Sequence, residues 1–282
     1  MSKTATGFEQ FDRRYGGVCH GRVALLTGRH GAGKSLFCLQ FLKQGLSAGE
    51  SGVILSATPC RDIALQARGL GIDVEDAIAT HRLHVLNYND VVPGRDREQD
   101  IMLPPDGFLQ LKQVIEDHAI SRVALDTVLP WMNLTTTDHL AEHIFSFVRS
   151  FERLGVTGIF TLPKPASHAA RRLHKLLENV VPVSVSLGYE LDTGERTWTV
   201  NKYLGETVDS DSVSIRLDPG RGVVAASGSG AEHSNDEPAE AEPKAADRAF
   251  TLAGSADNTS AASNIRTPFA KAILRDKKAA SS

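Results

Sequence analysis

An α/β fold with a mainly parallel central sheet follows from two features of the sequence. Short apolar runs at residues 22–27, 53–55, 122–126 and 156–162 alternate with longer segments of helical period, the pattern of strands covered by helices on both faces. The first run ends in a glycine-rich loop, Gly28-Arg29-His30-Gly31-Ala32-Gly33-Lys34-Ser35, which enters an amphipathic segment directly. Beyond residue 226 the composition turns to Ser, Ala, Gly, Pro and charge, too little apolar area to offset the entropy of ordering. The predicted organisation is a three-layer domain over residues 1–226 and a disordered tail over 227–282.

With 282 residues, 41% hydrophobic and 23% charged, the chain can bury one substantial core. Its formal net charge of −3 argues against an extended electrostatic footprint on nucleic acid or an anionic membrane. Cys19, Cys38 and Cys60 are scattered without C-x-x-C spacing. That suits a reducing cytosol and yields neither a zinc site nor a redox motif. The first residues lack an apolar targeting core, and no stretch is long and apolar enough to span a bilayer. A cytoplasmic protein is expected.

Gly28, Gly33, Lys34 and Ser35 fit G-x-x-x-x-G-K-[ST], in strand-to-helix context. In that loop, backbone N–H groups of residues 28–33 cradle phosphates, Lys34 reaches the β- and γ-phosphates, and the Ser35 hydroxyl ligates Mg²⁺. The helix that follows adds free N–H donors and a positive dipole end. The expected ligands are therefore ATP and Mg²⁺.

Along the chain, Thr6-Gly7-Phe8, Phe11-Asp12, Gly16-Gly17 and Gly21 make a turn-rich lead-in to the first core strand. After the first helix, 45–52 is a turn and Val53-Ile54-Leu55 a buried strand. A helix is predicted over 61–68, ending at Gly69 and Gly71, then a short acidic helix and a strand near 83–86. Residues 87–106 carry four Pro and Gly positions (Pro93, Gly94, Pro104, Pro105) and read as a loop at the ligand-binding edge of the sheet. A covering helix follows over 108–118, and then an apolar strand ending in Asp126, an acid that either begins a turn or, coming after a phosphate loop, is presented beside it to hold Mg²⁺ through its water shell.

The amphipathic stripe Leu140, Ile144, Phe147, Phe151, Leu154 predicts a helix over 138–154, capped by Thr137 or Asp138. Residues 156–162 form the next strand. His168, Arg171, Arg172, His174 and Lys175 are a basic cluster that is either a solvated helix face or a contact for nucleotide, a neighbouring subunit or nucleic acid. From Val181 the period becomes two, the mark of a half-exposed strand, and after the turn at 192–195 a second strand returns over 197–203. In the tail, 232–247 is acidic and 266–278 basic, with Phe269, Ile273 and Leu274 spaced for one face of a short helix that a protein partner could take.

These residues resemble the KaiC-type domains of the RecA superfamily. The resemblance runs from Thr6 to Val224: the TG-x-x-x-F-D lead-in, the glycines before the loop, Gln40-Phe41 on the helix, the break at Gly69-Leu70-Gly71, the closing hairpin and the final glycine turn. It implies a RecA-like three-layer fold, a C-terminal antiparallel hairpin, and homo- or hetero-oligomers built through the RecA-like interface. In the family, a K-x-R-G stretch on the returning strand reaches the nucleotide of the neighbouring subunit. Here it reads Lys202-Tyr203-Leu204-Gly205, which keeps the lysine and replaces the arginine. Family members also place paired glutamates after the second core strand to orient the attacking water, where this chain has Ser56-Ala57-Thr58-Pro59-Cys60. Asp62, the nearest acid, reads as an N-terminal dipole partner.

Three functions follow in order of fit: a nucleotide-binding regulatory or scaffolding subunit with weak or no hydrolysis, an active ATPase whose catalytic group comes from 88–106 or a partner, and an accessory factor in DNA recombination, which rests on fold analogy alone.

Overall fold

The computed structural model describes residues 2–88, 105–132, 139–208, 211–218 and 220–226. The chain divides into two units, Met1–Gly230 and Ala231–Ser282, and every described residue lies in the first. The tail from 227, its segment 266–278 and most of the 87–106 loop lie outside the described residues.

In chain order the elements are β1 (Lys3–Thr4), α1 (Glu9–Tyr15), β2 (Val18–Cys19), β3 (Val23–Gly28), α2 (Lys34–Ser47), β4 (Ser51–Ser56), α3 (Cys60–Gly69), α4 (Val74–Ala79) and β5 (Leu83–Asn87). They continue with α5 (Pro105–Asp117), β6 (Ile120–Asp126), α6 (Leu140–Arg153), β7 (Thr157–Pro163), α7 (His168–Val180), β8 (Val183–Tyr189), β9 (Arg196–Tyr203), β10 (Val213–Asp218) and β11 (Gly222–Ala225). Nine strands form one sheet in the order β11-β10-β9-β8-β3-β7-β6-β4-β5. From β8 to β5 every neighbouring pair is parallel, and β9, β10 and β11 extend the sheet antiparallel. This is the α/β, RecA-like three-layer arrangement expected from the sequence.

Alternate residues of the central strands feed two cores. Ala24 and Leu26 of β3 join α1 to α4 on one face, while Val23 and Leu25 join α5, α6 and α7 on the other. Strands buried on both faces explain the near-continuous apolar runs of β3, β4 and β6. Phe147, Phe151 and Phe160 are fully buried and meet edge to face or tilted, with centroids 5.0–5.5 Å apart, as the stripe on α6 predicts. Among the described residues, no helix is long and apolar enough to cross a membrane.

Two expectations need correction. The lead-in is more ordered than turns alone: it holds α1 and the β1–β2 pair. Asp12 organises it by accepting from Thr6 N, Gly7 N and Thr6 Oγ1 at 2.7–3.0 Å. Gly17 is required there, because a Cβ would stand 2.1 Å from Thr4 O. The residue preceding α6 is His139, which makes no side-chain cap; Thr137 and Asp138, the expected caps, lie outside the described residues. Finally, β8 is an interior strand whose first half is buried on both faces rather than half-exposed: Ser184 is fully buried and donates to Glu178 Oε1 at 2.9 Å, while Ser186 further along is partly exposed.

Candidate functional site

At the carboxyl end of β3 the chain turns through the glycine-rich loop into α2. Gly28 has no room for a side chain, since a Cβ would meet Leu187 O at 2.8 Å. Gly31 and Gly33 have φ of 81° and 99°, a left-handed conformation that glycine adopts without strain. A Cβ at Gly33 would meet nothing within 4 Å, so that side of the loop opens outward. Gly33 also precedes α2 without a side-chain cap, and the helix has no acid in its first turn. The first N–H groups of α2 thus lack intrahelical partners and present a positive end at the loop.

Lys34 Nζ donates to Gly28 O and Arg29 O, both at 2.9 Å, which holds the ammonium over the loop. Burial pulls its pKa below the usual lysine value, against the opposing attraction of Asp126. Arg29 and His30 are exposed at the loop tip, and Ala32 is fully buried beneath it.

Asp126 ends β6, two strands from β3, with β7 between them. Its carboxylate is bound on both oxygens: Ser35 Oγ donates to Oδ2 at 2.6 Å, and Thr161 Oγ1 of β7 donates to Oδ1 at 2.9 Å. The helix after the loop, the intervening strand and the acid-bearing strand are thereby tied at one point. The open glycine loop, an ammonium above it and a hydroxyl–carboxylate pair of hard oxygens fit a phosphate chain with Mg²⁺, a cation commonly held by one or two carboxylates plus substrate phosphates. Behind the loop, burial first and then Asp126 push the Cys38 thiol well above its ordinary pKa, so it stays a neutral packing group.

The fold brings Gly28, Arg29, His30, Gly31, Ala32, Gly33, Lys34, Ser35 and Asp126 together. Lys202 is elsewhere: Nζ donates to Glu178 O at 2.7 Å and Asn179 O at 3.0 Å, at the end of α7. It pairs with Ser184, which is level with Leu25 and so lies below Gly28 along the sheet.

Sequence reasoning missed Thr161, Tyr189 and Arg196. Arg196 stacks over the Tyr189 ring at 4.7 Å, and its Nε donates to Gly31 O at 3.3 Å, so the pair buttresses the loop from the hairpin side. A Cβ on Gly31 would stand 3.3 Å from the same ring. Thr161 had a signal, because a hydroxyl inside the apolar run Gly158–Leu162 needs a buried partner. Tyr189 and Arg196 had none, since their closeness to the loop depends on the β8–β9 pairing.

A phosphate loop between a buried strand and a helix, with its serine held by an acid at the end of a parallel strand, defines a P-loop nucleotide-binding ATPase domain. The family model described as "ATPase: KaiC" matches residues 4–228, and the chain belongs to this family. It is 27% identical over 165 residues to the circadian clock oscillator protein KaiC of Thermostichus vulcanus, an alignment covering 57% of this chain and 32% of that protein. It is 26% identical over 238 residues to the circadian clock protein KaiC3 of Synechocystis sp. (79% and 45% covered), and 26% identical over 211 residues to KaiC2 of the same organism (73% and 37%). The chain thus spans less than half the length of these relatives.

Proposed function

We propose that the protein is a cytoplasmic ATP·Mg²⁺-binding subunit with weak or no hydrolysis, in which bound nucleotide sets the conformation or subunit interface used for regulation or scaffolding. Residues 28–33 and the start of α2 would receive the phosphates, with Lys34 supplying positive charge. Ser35 and Asp126 would hold Mg²⁺, which when bound neutralises charge on the phosphate oxygens. Lys202 would serve a neighbouring subunit's nucleotide in a homo- or hetero-oligomer.

The observation that carries this reading is the contrast between the organised loop and the turn after β4. Ser56 ends β4 in register with Asp126, so this turn begins beside the Mg²⁺ site. Its groups are neutral: the Ser56 hydroxyl accepts from Thr58 N at 3.1 Å. Asp62, the nearest acid, is exposed in the first turn of α3. Without a carboxylate to orient water, and with Leu204 in place of an arginine whose trans contribution can reach about 10³–10⁵ in rate, binding outlasts chemistry. A ligand shifts such a subunit between states only by its differential affinity for them. The clock role in the relatives' names is not carried over to a chain that covers less than half of them.

Equilibrium ATP·Mg²⁺ binding and steady-state phosphate release, each measured on the natural chain and on Lys34→Ala, test the reading. The expected result is Lys34-dependent binding with phosphate release at background. Turnover abolished by Lys34→Ala would overturn the weak-hydrolysis claim and favour a catalytic group supplied by 88–106 or a partner.

A further inference from the structure

Far from the phosphate loop, three histidines stack where edge strand β5 begins. His84 is 6% exposed and lies level with Val53 of β4. Its neighbours Leu83 and Val85 point into the core shared with α2, α3 and α4, so His84 turns to the opposite face. There His118, the residue after α5, places its ring 4.2 Å from that of His84. His81, in the turn before β5, stacks on His118 at 5.9 Å with planes 11° apart and lies 6.4 Å from His84.

His84 Nε2 lies 3.1 Å from His81 O. A carbonyl only accepts, so Nε2 carries the hydrogen and Nδ1 is the atom an additional proton would reach. Burial first, then His118, pull the His84 pKa below the usual histidine value, with His81's charge adding and the bond to its carbonyl opposing. The acids on the elements packed here are engaged elsewhere or face solvent: β4 offers Val53, Glu116 of α5 pairs with Lys112 at 3.6 Å, Asp117 is exposed, and Asp76 of α4 turns to Arg82 at 3.9 Å. The flanking turns are also unusual, with His81 at φ 56° and Ala119 at φ 48°, left-handed values that non-glycine residues keep only where surrounding contacts impose them.

We propose that the His81–His84–His118 stack is an acid-sensitive latch: the neutral His84 ring, packed against its two neighbours, fastens the start of edge strand β5 to the end of α5, and protonation of His84 frees that junction. A second proton on His84 would create a buried cation stacked beside two other imidazole rings. Because the folded ring resists protonation more than the unfolded one, its contribution to stability is complete above about pH 6.5 and is lost as pH falls through that value towards the lower folded pKa. The latch is independent of whether the loop binds nucleotide.

Histidine-ring NMR titration, denaturant unfolding and amide exchange of the full chain, over about pH 5 to 8, test it. His118→Gln, at an exposed position, is the main variant, and His81→Gly preserves the left-handed turn. The natural chain is expected to lose stability on acidification, and His118→Gln to flatten that slope and raise the His84 midpoint. Exchange in β5 and the last turn of α5, corrected for intrinsic rates, should rise about tenfold at low pH while β3 is unchanged. An ordinary His84 midpoint, an unaltered slope in both variants, or a uniform rise in exchange would overturn the latch.

Discussion

The turns after β3 and β4 open at the same carboxyl end of the sheet, yet they are equipped differently. After β3 stand the groups that the proposed phosphate site would use: glycines that admit close approach, a helix start without a side-chain cap, and Lys34 and Ser35, with Ser35 bonded to Asp126. After β4, beside the same Asp126, Ser56 and Thr58 bond each other and no acid is present before Asp62. On the function proposed above, binding and turnover are carried by separate stretches of this fold. Only interactions stronger in the transition state than in the ground state accelerate chemistry, so one stretch can persist without the other.

Substitutions that break or sharpen this contrast differ in size. Lys34→Ala removes a charge-assisted contact and is expected to weaken ATP·Mg²⁺ binding roughly 100-fold or more, measured by calorimetry with the unfolding midpoint as a control. Asp126→Asn leaves two hydroxyls facing an amide and should cost about 10- to 100-fold in affinity with Mg²⁺, with a smaller loss when Mg²⁺ is chelated; equal losses would remove Asp126 from the cation site. Ala57→Glu combined with Leu204→Arg supplies the groups missing after β4 and β9 and should raise phosphate release at least about tenfold with little change in affinity. Unchanged release would mean that more than these two groups is lacking. The smallest effect belongs to Thr161→Val, which frees Asp126 Oδ1 and should weaken Mg²⁺-dependent binding by about tenfold or less.

Much of this contrast was legible in the sequence, because its parts are local. Spacing within residues 28–35 marks the loop, and an apolar run ending in acid, weak by itself, points to Asp126 once the loop and the family resemblance are taken with it, since a buried strand and a phosphate cradle each impose their own residue pattern. Contacts set by strand order were not legible. Thr161 reaches Asp126 because β7 lies between β3 and β6, and Arg196 reaches Gly31 because β9 pairs with β8. Alternation also misled at β8, where serines looked like a solvent face: a small hydroxyl is tolerated under a helix when Glu178 takes its hydrogen bond. The three-histidine stack joins a turn, a strand and a helix end, with His118 34 residues beyond His84, so it had no motif to announce it.

Light-scattering mass in the apo, ADP and ATP·Mg²⁺ forms, with phosphate release followed on the same samples, tests binding without vigorous hydrolysis most directly. The expected result is a change of mass with ATP·Mg²⁺ that Lys34→Ala abolishes, while phosphate release stays at the Lys34→Ala background. Phosphate release well above that background, or no response to nucleotide at all, would contradict it.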